Sequence, residues 1–228
     1  MWPSGPPNEK EILKIARRTT DIIQLYVTSN VCLFGSAAAS LWADTGRVPN
    51  DIDIVVRHDG DSSSAAEMIK RAIVDADDRY FLKPPRRRSS RYKILICRLP
   101  GWRAHGRCVK VDILVPPTLN LPEIDSSDTP VISRIPVMPL FDLLVMKTQG
   151  WWDHRISPRK DFREKEEADV LDVDALLDRA VQEKVSYRDE SGASRHTYEF
   201  MDYALVLAGR FVRKHGRPGK WRAIGFPL

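Results

Sequence analysis

The sequence predicts an α/β protein with a helical C-terminal part, and three observations predict it. Short apolar runs rich in β-branched residues alternate with amphipathic stretches up to about residue 115. A proline-containing loop, PPTLNLPEIDSSDTP, follows at 116–130. Helical patterns dominate from there onward, so the chain divides into an α/β core over 1–118 and a helical region over 119–228.

The elements follow in order. Residues 9–27 carry Ile12, Leu13, Ile15, Ala16, Ile22, Ile23 and Tyr26 at helical spacing. VCLFG at 31–35 is a continuous apolar run, the mark of a strand covered on both faces, and SAAASLWAD at 36–44 reads as a helix directly after it. Pro49 sets the entry to a β-branched strand, DIDIVVRH, at 51–58. A helix over 62–76 comes next, with Ser62 to Ser64 as its cap candidates. Strands near 79–83, 92–99 and 107–115 complete the core, and helices are expected at about 139–149, 161–183 and 195–214.

Composition excludes several classes. Hydrophobic residues make up 43% and charged residues 29% of the 228, and no stretch approaches the apolar length of a membrane-spanning helix. The N-terminus, MWPSGPPNEKE, has no basic segment followed by an apolar run, so a cytoplasmic setting is expected, with the nucleus as the alternative. Cys32, Cys97 and Cys108 lie inside strand-like runs without metal-ligand spacing, which argues against a disulfide framework and against a zinc site. The net charge of +5 is partly local, because Lys83, Arg86, Arg87, Arg88, Arg91 and Lys93 crowd one segment. That loop over 83–93 would attract a phosphate-rich partner such as nucleic acid, or it is simply a solvated connection between strands.

The chemistry concentrates at Gly35-Ser36, then Asp51-Ile52-Asp53, then Asp112 in VKVDILV. Residues two apart in a strand share a face, about 6.6 to 6.8 Å apart, so Asp51 and Asp53 aim at one spot. Asp112 is the lone charge between Val111 and Val115 and needs compensation. If its strand lies beside the first, three carboxylates repel one another in a cleft, and a divalent cation is the natural remedy. Mg²⁺ suits such oxygen donors and also binds substrate phosphates, with Mn²⁺ as an alternative ion. Gly35-Ser36 opens a helix whose first amides are unpaired donors suited to an anion. The plainer readings are a helix cap at Ser36 and an ordinary edge strand after Pro49-Asn50.

The order of these residues resembles the DNA polymerase β-like nucleotidyltransferase superfamily: an apolar strand, Gly-Ser or Gly-Gly, a helix, an Asp-x-Asp strand, then a third acid on a later strand. Gly35, Ser36, Asp51, Asp53 and Asp112 carry the resemblance, over residues 30 to 116. It implies a mixed sheet flanked by helices. It also implies transfer of a nucleoside monophosphate from a nucleoside triphosphate to a hydroxyl, assisted by two Mg²⁺ ions, with pyrophosphate released. Asp51, Asp53 and Asp112 would be catalytic and metal-binding, and Gly35 and Ser36 nucleotide-binding. The acceptor stays open between a small molecule, a protein and an RNA end, and the competing function is a binding module that kept the fold.

Two features of the helical region bear on the same reading. On the helix at 139–149, Asp142 and Gln149 share one face, whereas Lys147 sits among Leu140, Leu143, Leu144 and Trp151. Lys147 either reaches a triphosphate or snorkels outward at the helix end near Gly150. On the next helix Asp169 falls within the apolar face of Val170, Val173, Leu176, Leu177, Ala180 and Val181, with Lys165 one turn earlier as its expected ion-pair partner. An inward lysine followed by inward aspartates resembles abortive-infection and aminoglycoside-modifying nucleotidyltransferases, which implies a phosphate contact for Lys147 and an acceptor-side role for Asp169 and Asp172. The chain departs from their Lys-Asp-x-x-Asp run at Ala168. Between these helices, WWDHRISPRK reads as a loop anchored by buried tryptophans, or as aromatics and cations that stack on a base.

Overall fold

The structure, a computed structural model, describes residues 4–58, 60–84, 92–192 and 196–228, with the side chains of 190–192 left out. The chain forms two compact units. Unit 1 runs to Leu41 and resumes over Arg47–Met138, and unit 2 holds Trp42–Gly46 and Pro139–Leu228.

Unit 1 is a five-stranded mixed sheet with helices. In chain order it contains α1 (Glu9–Tyr26), β1 (Val31–Phe34), α2 (Gly35–Trp42), β2 (Asp51–Val56), α3 (Ser62–Ala76), β3 (Tyr80–Lys83), β4 (Ile94–Arg98), the short α4 (Trp102–His105), β5 (Cys108–Leu114), β6 (Val131–Ile132) and β7 (Ile135–Pro136). α1 starts at a capping box in which Asn8 and Glu11 satisfy each other's backbone amides at 3.0 Å. α3 spans 62–76 as expected, but its cap is Asp61 in place of the serines, the Asp61 carboxylate accepting from the Ser64 amide.

The strand order is β1-β2-β5-β4-β3, with β2 and β5 parallel and every other neighbour pair antiparallel. The β3–β4 hairpin lies between β2 and β5 in sequence, and the crossover seats β5 directly beside β2. Val137, directly after β7, bridges to Leu33 of β1, and the Met138 amide donates to the Leu33 carbonyl at 2.9 Å, so the stretch after β5 returns to the sheet and belongs to unit 1.

Alternation assigns the two sheet faces. Ile52, Ile54, Leu95, Cys97, Val109, Val111 and Tyr80 are buried on the side that carries α1 and α3, where the Tyr80 hydroxyl meets the Thr19 hydroxyl at 2.8 Å. On the opposite face Asp51, Asp53, Asp112, Ile96 and Phe81 are half-buried and Lys110 is exposed, whereas Val55 and its partner Cys32 on the same face are buried. This difference has a chemical readout. Burial pushes the Cys97 thiol up to about 12, so it stays protonated near neutrality, whereas Cys108 is half-buried at the end of β5. Iodoacetamide treatment of the native protein followed by peptide mass spectrometry is expected to modify Cys108, and to reach Cys32 and Cys97 only after denaturation. Equal modification of Cys97 and Cys108 in the native state would contradict the assigned faces.

Unit 2 is helical: α5 (Leu140–Ile156), α6 (Lys160–Arg163), α7 (Glu166–Gln182), α8 (Tyr187–Gly192), α9 (Tyr198–His215) and α10 (Pro218–Ala223). α7 and α9 pack on α5, whose residues Leu140 to Gln149 are buried all round. The polar face expected for Asp142 and Gln149 is therefore inside. α5 also runs past Gly150 to Ile156, because Trp151 is fully buried against the rings of Trp152, Phe211 and His215. Trp151 and Trp152 stand on this helix rather than in a loop, and the Arg210 guanidinium lies over the Trp152 ring at 4.4 Å. The helix expected at 161–183 is interrupted, giving α6 and α7.

Candidate functional site

β2 and β5 are in register with Asp53 opposite Asp112 and Asp51 opposite Lys110. Directly paired residues share a face, so the third carboxylate joins the first two. One oxygen from each of Asp51, Asp53 and Asp112 lies within 4.8 Å of the others, and among the described residues no other group of three acidic, histidine or cysteine side chains meets that test. The donor set fits a hard divalent cation: all ligand atoms are carboxylate oxygens, and all three groups are half-buried rather than sealed.

Part of the charge is offset by a residue that the sequence reading passed over. The Lys110 ammonium pairs with the Asp112 carboxylate, both side chains being partly exposed. Burial opposes its charged form, but the hydrogen bond from Lys110 to Asp112 and the fields of Asp112, Asp51 and Asp53 together hold its pKa above the ordinary lysine value. Three carboxylates and one ammonium leave two net negative charges, which a single divalent ion would balance. Lys110 stands two residues before Asp112, in phase with it, and that spacing was the available signal.

Gly35 begins α2 at φ +68°, in the left-handed region, with the Asp53 carboxylate against its Cα. A Cβ there would stand 2.1 Å from Asp53 Oδ2. The glycine thus permits a close approach between the turn and the carboxylate. Ser36 follows, and its Oγ accepts a hydrogen bond from Arg47 Nη2 at 2.5 Å. Arg47 comes from the turn TGRVPN, where nothing in the local sequence marks it.

The acidic and basic groups of the helical region meet within unit 2. Lys147 Nζ lies 2.7 Å from Asp172 Oδ2 and 3.4 Å from Asp169 Oδ1, and His154 Nδ1 lies 2.5 Å from Asp169 Oδ2. Asp169 is therefore served by Lys147 and His154 in place of the expected Lys165, which sits over the Phe162 ring. Asp172 is 0% exposed and Lys147 8%. Removing the ammonium leaves buried negative charge without its cation, so Lys147→Met is expected to cost about 3 to 5 kcal/mol. A thermal melt would show this as a Tm lower by about 6 to 20 °C. Adding Asp172→Leu should recover part of the loss, and a double variant less stable than the single would refute the pairing as its cause.

Of the basic loop, Lys83 and Lys93 are exposed, whereas Arg86, Arg87, Arg88 and Arg91 lie outside the described residues. No helix among the described residues is long and apolar enough to cross a membrane.

No protein-family model and no curated protein matches the chain. Among solved structures, an antigenic nucleotidyltransferase-like protein from Paracoccidioides brasiliensis matches 98% of this chain and 96% of its own, at TM-score 0.67 and 16% identity. A proposed nucleotidyltransferase from H. pylori covers 90% of this chain and 94% of its own at 11% identity, with TM-score 0.37. A CD-NTase from Bradyrhizobium diazoefficiens, solved in complex with GTP, covers 97% and 91% at 9% identity, with TM-score 0.32. The last two scores are too low to carry an argument. The mixed sheet and its helices are those of a nucleotidyltransferase-like fold, with three converging aspartates that could hold a metal ion.

Proposed function

We propose that the chain is a Mg²⁺-dependent nucleotidyltransferase that moves a nucleoside monophosphate from a nucleoside triphosphate to a hydroxyl. The observation that carries this reading is the convergence of Asp51, Asp53 and Asp112 beside the Gly35-Ser36 turn. Asp51, Asp53 and Asp112 would hold one or two Mg²⁺ ions, and Mn²⁺ would satisfy the same donors. When bound, such ions supply Lewis-acid stabilisation of charge on the attacking and leaving oxygens.

The remaining work falls to the chain. The first amides of α2 and the Ser36 hydroxyl bind the triphosphate, since a helix N-terminus presents unpaired N–H groups to anions. Arg47, already hydrogen-bonded to Ser36, adds a cation at the same turn. A carboxylate oxygen of Asp112 takes the proton of the acceptor hydroxyl as the hydroxyl oxygen bonds to the α-phosphorus. The bond from the α-phosphorus to its bridging oxygen breaks, and pyrophosphate leaves. This reading is confined to unit 1; Lys147, Asp169 and Asp172 are assigned to the buried ion-pair network of unit 2.

The test is thermal stabilisation by ATP, CTP, GTP and UTP with and without Mg²⁺, followed by transfer of α-labelled nucleotide to fractions of a cell extract. At a ligand concentration 100 times Kd, stabilisation of about 2.7 kcal/mol is expected. That corresponds to a Tm rise of about 5 to 10 °C. No Mg²⁺-dependent shift with any of the four, together with no labelled product, would overturn the proposal. Salt-sensitive RNA binding without transfer would mark the chain instead as a binding module.

A further inference from the structure

The carboxylate-bearing face of the sheet continues sideways. Asp51 on β2 is opposite Lys110 on β5, Lys110 is opposite Ile96 on β4, and Ile96 is opposite Phe81 on β3. These four residues form one row across the same face. Phe81 stands two strands from Lys110, about 10 Å at the usual strand spacing. Ile96 and Phe81 are half-buried, and so is Trp102, which follows β4 and sets its ring 5.4 Å from that of Phe81. The Arg98 guanidinium lies over both rings, 4.5 Å from the centre of Phe81 and 5.8 Å from that of Trp102, and Nη1 donates to the Asp78 carbonyl at 2.5 Å. Lys83, two residues along β3 from Phe81, and Arg103, next to Trp102 in α4, are exposed.

On the face that carries the acidic centre, an aromatic pair and a guanidinium are held together in half-open positions. Planar groups stack on aromatic rings and on arginine planes, and neighbouring cations suit a phosphate backbone. A nucleotide combines what such a face can engage: a flat ring, negative charge and a hydroxyl to present toward Asp112. We infer that Phe81, Arg98 and Trp102 form the platform on which a nucleobase of the acceptor stacks, the acceptor being a free nucleotide or the 3′ end of a single-stranded RNA. The inference rests on the transferase reading for the word acceptor, and on the row of side chains for the platform itself.

Fluorescence anisotropy with a labelled ribotetranucleotide ending in a 3′-deoxy sugar tests it in the full-length chain. Trp102→Ala is expected to weaken binding by about 5- to 150-fold, the range for loss of one stacked base. Trp102→Phe, which keeps a ring, should bind within a few-fold of the parent. Arg98→Lys, which keeps the charge and loses the plane, should weaken binding. An abasic tetramer of equal charge should bind the parent as poorly as the tetranucleotide binds Trp102→Ala. Competition by nucleoside monophosphates separates the two sources: displacement at concentrations similar to the tetramer's Kd points to a free nucleotide, and displacement by oligomers alone to an RNA end.

Equal affinity for base-bearing and abasic tetramers, or an unchanged affinity in a folded Trp102→Ala protein, overturns the platform even if transfer activity is present. Platform binding with no transfer from any nucleoside triphosphate overturns the transferase reading instead.

Discussion

Asp53→Asn should reduce nucleotide transfer at least about 10³-fold, equivalent to about 4 kcal/mol of lost transition-state stabilisation. The substitution is nearly isosteric and removes one of three converging charges, with the other two left to share a Mg²⁺ ion. Its partner Asp112 stands opposite it in register, so the strand pairing itself has no need of the carboxylate. In the absence of divalent ions the Tm is therefore expected to stay within about 2 °C of the parent, since relief of like-charge repulsion offsets any lost local interaction. With Mg²⁺ and nucleotide the parent should gain stability and the variant should not. A variant that melts normally and retains a tenth or more of the transfer rate would remove Asp53 from the site. A variant that melts far lower in EDTA would show instead that the carboxylate supports the fold.

Gly35→Ala should act on the same centre from the other side. The position has φ +68°, where an alanine is strained by roughly 1 to 2 kcal/mol, and the new methyl would lie 2.1 Å from Asp53 Oδ2. Backbone on this turn is tied to the first turn of α2, so the atom free to move is the far end of the Asp53 side chain. Swinging that carboxylate aside breaks the convergence while leaving Asp53 in the chain. The expected outcome is a modest Tm decrease of about 2 to 8 °C and a transfer rate close to that of Asp53→Asn. Combining the two substitutions should then cost little more activity than either alone, because both remove the same ligand. Full additivity in that double variant would show that Gly35 serves the phosphates through its backbone and not through Asp53.

Several parts of this arrangement were legible in the sequence because they depend on local periodicity. The period of two in DIDIVV puts Asp51 and Asp53 on one face wherever the strand goes, and the apolar surroundings of Asp112 mark it as a charge in need of compensation. The same reasoning placed α3 at 62–76 and both ends of α1 to within a residue, since amphipathic spacing is a property of the segment itself. It failed where packing overrode the segment. α5 continues through Gly150 because burying Trp151 outweighs the intrinsic cost of one glycine, and Asp142 and Gln149 turn inward because α5 is enclosed by its neighbours within unit 2.

Only the tertiary structure decided which distant side chains meet. The parallel pairing of β2 with β5 brings Asp112 to the first two aspartates, and the same register carries the row on to Lys110, Ile96 and Phe81. Asp172 finds Lys147 and Asp169 finds His154 across helices, where the neighbouring Lys165 was the local candidate. A sequence specifies which face of a strand or helix a residue occupies, but partners across a sheet or between helices are set by register and crossover. Those are properties of the folded chain, because one residue of slip would send every side chain of a strand to the other face.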